Sequence, residues 1–231
     1  PAPVGATDGM VTIAPCDYRG TAKIVFFGKD PAASYFDESM YGPVSFHNKS
    51  LEAVVDMGKG MATTTKMIGV SPLTKAAYEY TINLAQAEKA VVTAAPWHDA
   101  ARVTAANARI TEIINHQLPG MYRFDDITRM PVLVDENNFT RGSAALSDSN
   151  EGRYAAVLAG SVQATGAQLP ADTSPALTLL DQLSADLADG DLDLVGGAGT
   201  PVAAPGTLAY APETLPQFVS AVQPASAILN S

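Results

Sequence analysis

Cysteine is almost missing from this chain of 231 residues: Cys16 stands alone. An internal disulfide and a Cys-rich zinc site are both excluded by that count. Its setting, Thr12-Ile13-Ala14-Pro15-Cys16-Asp17-Tyr18, reads as the end of a strand, so the side chain reads as a small buried hydrophobe and not as a reactive thiol. Charge is scarce as well. Charged residues make up 16% of the chain against the usual ~25%, and small uncharged residues take their place, a tendency of exported bacterial proteins. The fourteen basic residues form no cluster and the net charge is −10. A nucleic-acid binder needs a basic face to displace counterions from phosphates, so DNA, RNA and anionic lipid are excluded as partners. No apolar run approaches the ~20 residues of a membrane span. There is no signal peptide, and the opening Pro1-Ala2-Pro3 without a Met reads as the start of a processed product.

Catalytic signatures are equally thin. His47, His98 and His116 are the histidines, and no two are spaced as a local zinc motif. His98 and Asp99 are neighbours whose side chains point apart, which makes no dyad. There is no Gly-x-Ser-x-Gly elbow. Gly196-Gly197-Ala198-Gly199-Thr200 lacks a following Lys and follows an acidic stretch, so it reads as a loop and not as a phosphate cradle. A triad assembled from distant segments stays open, because triads are spatial.

What is present is a change of periodicity. Up to residue 56 the chain leans β. Met10-Val11-Thr12-Ile13-Ala14 follows the turn signal Thr7-Asp8-Gly9; Ala22 to Gly28, Ser34 to Glu38, Pro43 to His47 and Leu51 to Asp56 are further short strands. Four or five strands make half of a sandwich, which leaves open edges unless the helical part covers them. Residues 57–71 form a linker with Gly58, Gly60 and Gly69. Helical spacing then takes over. The first helix starts at Ser71-Pro72 and turns Ala77, Tyr80, Leu84, Ala87 and Val91 inward. The second runs from Asp99 to Gln117 with Val103, Ala106, Ile110, Ile113 and Ile114 inward. Met121, Tyr122, Phe124, Met130 and Val132 tuck under an irregular stretch, 119–146. A third helix, 149–165, carries Tyr154, Val157, Leu158 and Val162 and stops at Gly166. A fourth begins at Ser174-Pro175 with Leu177, Leu180, Leu183 and Leu187 inward and Gly190 at its end. A last short helix carries Leu215, Phe218, Val219 and Val222. The expected fold class is α+β: a partial β-sandwich in 1–56, a linker, and an α-helical bundle of four to five helices in 72–231.

Two groups of residues resemble known families. Thr7-Asp8-Gly9-Met10-Val11-Thr12-Ile13 followed by Lys23-Ile24-Val25-Phe26-Phe27 resembles later strands of a transthyretin-like, carboxypeptidase-regulatory-like sandwich. Val70-Ser71-Pro72-Leu73-Thr74, Ala105-Ala106-Asn107 and Asp186-Leu187-Ala188-Asp189-Gly190-Asp191-Leu192-Asp193 together resemble a helical domain of large secreted or surface-anchored bacterial proteins, where Leu194 replaces a glycine of the pattern. The resemblance implies a secreted, periplasmic or cell-surface location and carries no catalytic residues.

Asp189, Asp191 and Asp193, with Asp186 before them, form the candidate metal site, since Ca²⁺ takes six to eight carboxylate and carbonyl oxygens. No Glu stands at the twelfth position of an EF-hand loop, and the competing reading is a Gly-terminated helix followed by a solvated turn. Trp97, Tyr18, Tyr35 and Tyr41 could stack on sugar faces, or sit in the core. The leading expectation is a non-enzymatic structural or binding module whose partners are copies of itself, other surface proteins or carbohydrate. It would assemble into oligomers or fibres by strand addition. The alternatives are an exported hydrolase with a Ser, Asp or Glu beside one histidine, and a periplasmic small-ligand module with a pocket between helices.

Overall fold

The structure, a computed structural model, describes residues 19–37, 42–58, 66–87, 95–118, 120, 123–132, 149–168, 174–193, 195–196 and 200–202. The expected strand Met10 to Ala14, Cys16, and the expected last helix around Leu215 to Val222 lie outside the described residues.

The chain is mixed α+β. Strand β1 (Thr21–Phe27) pairs antiparallel with β4 (Ser50–Asp56), from Thr21 opposite Asp56 to Phe27 opposite Ser50. Nested between them, β2 (Ser34–Asp37) pairs with β3 (Gly42–Ser45). Backbone bonds carry the ladder across the junction: Gly28 N–H to the Lys49 carbonyl at 3.0 Å and Phe46 N–H to the Ala33 carbonyl at 2.8 Å. The four strands are therefore one long hairpin with a bulged waist. Two features of sequence make the waist. Asn48 takes a left-handed φ of 58°, which Asn tolerates better than most residues. A Cβ at Gly28 would stand 1.9 Å from the Phe46 carbonyl oxygen, so no larger residue fits there. Among the described residues no second sheet packs face to face on this ribbon, where the strand count led to the expectation of a half sandwich; helices take that place.

Helix α1 (Pro72–Ala87) starts where the sequence says it should. Thr74 Oγ1 accepts the Ser71 N–H at 2.9 Å, and Ser71 Oγ accepts the Thr74 N–H at 3.3 Å. This is a capping box with Thr at the third position in place of Glu. A short 3-10 turn (Pro96–His98) leads into α2 (Ala100–Gln117), capped by the Asp99 carboxylate, which accepts the Ala101 and Arg102 N–H groups. Helix α3 (Asn150–Gln168) is capped by Ser149 Oγ, which accepts the Gly152 N–H. It runs through Gly166, the expected stop: one glycine costs a helix only ~1 kcal/mol. Helix α4 (Pro175–Leu187) follows, and a two-residue ladder of β5 (Val195–Gly196) with β6 (Thr200–Pro201) ends the described chain.

One apolar cluster joins the helices. It contains Leu73 and Ala77 of α1, Ile110, Ile113 and Ile114 of α2, Phe124 and Ile127 from the irregular stretch, Tyr154 and Val157 of α3, and Leu183 and Leu187 of α4. The inward residues expected on α2 are all buried, as are Tyr154, Val157 and Val162 on α3. On α1 the buried face is wider than expected and includes Leu73, Thr74, Ala76, Thr81 and Ala85, while Tyr80 and Leu84 are half-buried. The reason is that α1 meets β4 on one side and α2 and α4 on the other. Tyr154 is the polar centre of this core. Its ring stacks on Phe124 at 4.6 Å and its hydroxyl shares a short hydrogen bond with Ser71 Oγ.

Two groups here hold their protons more tightly than usual. Burial pushes the Tyr154 hydroxyl up from its ordinary 10.0, with Asp126 adding to the rise and the Ser71 bond opposing it. Burial lowers Lys75, but its bond to Glu79 and the charges of Glu79, Glu52 and Asp181 outweigh burial, and the net shift is upward from 10.5. A raised folded-state value adds stability below the unfolded value and loses it as pH climbs. The urea midpoint should therefore hold steady to about pH 10 and fall above it. The double variant Lys75→Met, Tyr154→Phe should show a flatter alkaline limb, and an unchanged limb would place its origin elsewhere.

Candidate functional site

The two long edges of the β1–β4 pair differ chemically. In an antiparallel ladder alternate residues point their N–H and C=O groups at the partner strand and the rest point away. Gly28 bonds to Lys49 and Asn48 at one end, and Gly20 accepts from Met57 at the other. Even-numbered residues of β1 thus face β4, and Thr21, Lys23, Val25 and Phe27 face outward. On β4 the outward residues are Ser50, Glu52, Val54 and Asp56.

The carbonyls of Glu52, Val54 and Asp56 are capped by side chains. Thr74 Oγ1 of α1 donates to the Glu52 carbonyl at 2.9 Å, Asn107 Nδ2 of α2 donates to the Val54 carbonyl at 3.0 Å, and Lys66 Nζ donates to the Asp56 carbonyl at 2.8 Å. An incoming strand would have to break these bonds and displace two helices. Ala53, Val54 and Val55 are buried beneath them. This edge is closed.

Among the described residues the edge of β1 is uncapped at Lys23 and Val25. Among the described residues no partner meets the outward N–H and C=O groups of Lys23 and Val25, and Phe27 bonds only the nearby Lys29 N–H, at 2.9 Å. Val25 and Phe27 are 51% and 56% exposed, two of the large hydrophobic side chains on the surface. Lys23 Nζ is held 3.8 Å from the centre of the Tyr78 ring on α1. Natural proteins blunt such an edge with charge, proline or a covering element. Here the sole charge along it is that of Lys23. The arrangement can accept an extended chain by backbone pairing, with apolar contacts beside it.

A second cluster lies on the same face. Lys75 Nζ is 2.6 Å from Glu79 Oε1 and 3.8 Å from Glu52 Oε2, and Ser50 Oγ donates to Glu52 Oε1 at 2.8 Å. Two carboxylates and one ammonium leave a single negative charge, and the set fastens α1 to β4.

The candidate calcium ligands sit in the turn after α4. Each carboxylate there accepts a backbone N–H of its own turn: Asp189 Oδ1 from Asp191 at 3.1 Å, Asp191 Oδ1 from Leu192 at 2.8 Å, Asp193 Oδ1 from Val195 at 2.9 Å. The fully buried Asp186 accepts the Asp193 N–H at 3.2 Å. The backbone of the turn is docked as well. Asn83 Nδ2 donates to the Ala188 carbonyl at 2.6 Å and Arg109 Nε to the Gly190 carbonyl at 3.1 Å. Gly190 has φ +86°, and a Cβ there would meet the Tyr80 ring at 2.5 Å. Burial raises the Asp189 carboxyl above its ordinary value, the charges of Asp193 and Asp191 add to the rise, and the Asp191 N–H opposes it. Among the described residues no three His, Cys, Asp or Glu side chains are grouped to hold a metal ion. The turn closes a helix and seats it on α1 and α2, and these bonds explain its aspartates.

The histidines are apart from one another's chemistry. The His98 ring lies 3.9 Å from the Trp97 ring, and His116 is exposed near the end of α2. His47 has a buried Nδ1 without a bond. Among the described residues no histidine ring bonds a Ser, Asp or Glu. Of the four aromatics considered for sugar stacking, Tyr35 packs edge-on against Phe46 at 6.2 Å and Trp97 stacks on His98, while Tyr18 and Tyr41 lie outside the described residues. No described helix is long and apolar enough to cross a membrane. No protein-family model, no curated protein and no solved structure matches this chain.

Removing one cap should be costly, because a buried carbonyl left unpaired loses about 1–3 kcal/mol. Asn107→Ala is expected to lower unfolding free energy by that amount in urea titration. A loss below ~0.5 kcal/mol would mean that water replaces the cap. The acidic turn should be indifferent to metal: the melting temperature should be the same in EDTA and in excess Ca²⁺, and a rise of several degrees with Ca²⁺ alone would make Asp189, Asp191 and Asp193 ligands.

Proposed function

We propose that this chain is a non-enzymatic structural or binding module of a secreted or cell-surface bacterial protein, and that it works by accepting an extended strand along β1. The observation that supports this reading is the contrast between edges: the carbonyls of Glu52, Val54 and Asp56 on β4 are capped, while among the described residues no partner meets the outward backbone groups of Lys23 and Val25, beside the exposed side chains of Val25 and Phe27. Three separate caps obstruct strand addition along one edge, and the uncapped residues of the other edge are where an added strand would pair.

In this reading the ribbon is a partial transthyretin-like β-sandwich, and the helices belong to a bundle of the kind carried by secreted and surface-anchored bacterial proteins. The low share of charged residues, 16%, and the single cysteine suit an exported protein that relies on its core and not on disulfides. The three residue groups that carry the resemblance also support a structural role. Ser71 and Thr74 cap α1 and the β4 edge, Asn107 caps the same edge, and the Asp186 to Asp193 turn seats α4.

A labelled peptide with the sequence of residues 21–27 tests the edge by fluorescence anisotropy. It should bind the folded chain, and Val25→Pro should abolish binding. Proline removes an N–H that faces away from β4, so the variant keeps its ladder while losing the outward donor. Equal binding by the two proteins, or none by either, would sink strand addition at β1.

A further inference from the structure

We infer that the Asp30–Pro31 peptide bond is a self-cleavage site, at which the Asp30 carboxyl cuts the chain between β1 and β2 and leaves β1 seated on β4. The inference is independent of strand addition at β1. Asp-Pro occurs once in the 231 residues. It lies in the waist that joins β1 to β2, where Lys29, Asp30, Pro31 and Ala32 are all exposed. Three features of this turn suit intramolecular attack. The carboxylate is folded back on its own turn, because Asp30 Oδ1 accepts the Ala32 N–H at 2.8 Å, and among the described residues no donor or cation meets Oδ2. The carbonyl that would be attacked, that of Asp30 itself, accepts the Ala33 N–H at 2.9 Å, a donor placed to stabilise charge that gathers on that oxygen. Pro31 has no N–H. The competing ring closure, in which the nitrogen after an aspartate attacks the side-chain carboxyl, therefore has no proton to lose.

The bonds balance with water as the sole co-reactant. Oδ2 of the protonated carboxyl bonds to the Asp30 carbonyl carbon and closes a cyclic anhydride. The C–N bond to Pro31 breaks, the carboxyl proton goes to the departing nitrogen, and Pro31 becomes a new amino terminus. Water then opens the anhydride and leaves Asp30 as a carboxy terminus with both of its carboxyls free. Because the step needs that proton, its rate falls as pH rises out of the ordinary carboxylate range, about pH 4. Holding nucleophile and carbonyl in one fixed turn distinguishes the folded chain from a flexible peptide with the same bond. The segment before the cut stays in place. β1 keeps its register from Thr21 opposite Asp56 to Phe27 opposite Ser50. Gly28, two residues before the cut, donates to the Lys49 carbonyl at 3.0 Å and accepts the Asn48 N–H at 2.8 Å.

Denaturing mass spectrometry of the full chain, held for days at about pH 4, is the test. Two fragments, residues 1–30 and 31–231, should accumulate, while circular dichroism of the same sample without denaturant keeps the spectrum of the uncut chain. The folded chain should be cut about tenfold faster than a free peptide of residues 27–35, which contains the bond without the fold. If circular dichroism shows the fold lost at that pH, the comparison is made at the lowest pH that retains it. Asp30→Glu keeps the charge but would need a larger ring, and should slow the cut about tenfold. Pro31→Ala restores the N–H, and should leave the chain whole and yield isoaspartate at position 30. An absence of fragments, a cut elsewhere, a rate equal to the peptide's, or an undiminished rate in Asp30→Glu would each overturn the inference.

Discussion

The structure depends on the hydrogen bonds by which helical side chains cap the outward carbonyls of β4. A two-stranded ribbon is marginal in water on its own and needs a further strand or a helix against it. Thr74 and Asn107 supply that cover from two different helices, so the capping bonds also fix where α1 and α2 stand relative to the ribbon. Each bond contributes about 1 kcal/mol net. Their larger effect is to remove the alternative in which β4 pairs with a foreign strand, which is a gain in specificity as well as in stability.

From that joint the rest of the packing follows. Thr74 is at once the third residue of the α1 capping box and the donor to Glu52, so the start of the helix and its seat on the strand are one arrangement. Ser71, the other half of the box, shares its hydroxyl with Tyr154 and thereby ties α3 to the same point. At the far end of α1, Asn83 and Tyr80 receive the turn after α4. A single helix thus carries contacts to the ribbon, to α3 and to α4. The glycine at 69, whose Cβ would stand 2.4 Å from the Arg129 carbonyl oxygen, lets the segment before α1 lie against the irregular stretch that closes the core.

Much of this was legible beforehand. The starts of α1, α2 and α4, the inward face of α2, and Gly190 as the end of α4 follow from caps, periodicity and the tolerance of glycine for positive φ, all local properties. The extent of α3 was less legible, because Gly166 is a weak signal that packing overrides. The width of the buried face on α1 was not legible: Thr74 and Thr81 give no apolar signal, and their burial depends on a strand and two helices arriving from elsewhere in the chain. The aspartates after α4 were legible as a cluster but ambiguous in purpose. Alternating Asp residues suit a cation and a capped turn equally, and the backbone N–H groups that the carboxylates meet show the capped turn.

By itself the sequence determined the α+β class, the acidic, cysteine-poor character, and the positions where helices begin. These are set by short-range rules: side-chain chemistry, spacing, and the backbone freedom of single residues. The tertiary structure alone decided which edge of the ribbon is closed. That outcome requires Lys66, Thr74 and Asn107, about forty positions apart in the chain at their extremes, to meet three successive outward carbonyls of β4. Whether a strand edge is capped or bare is a property of distant residues brought to one place, and no local pattern in Thr21–Phe27 or Ser50–Asp56 encodes it.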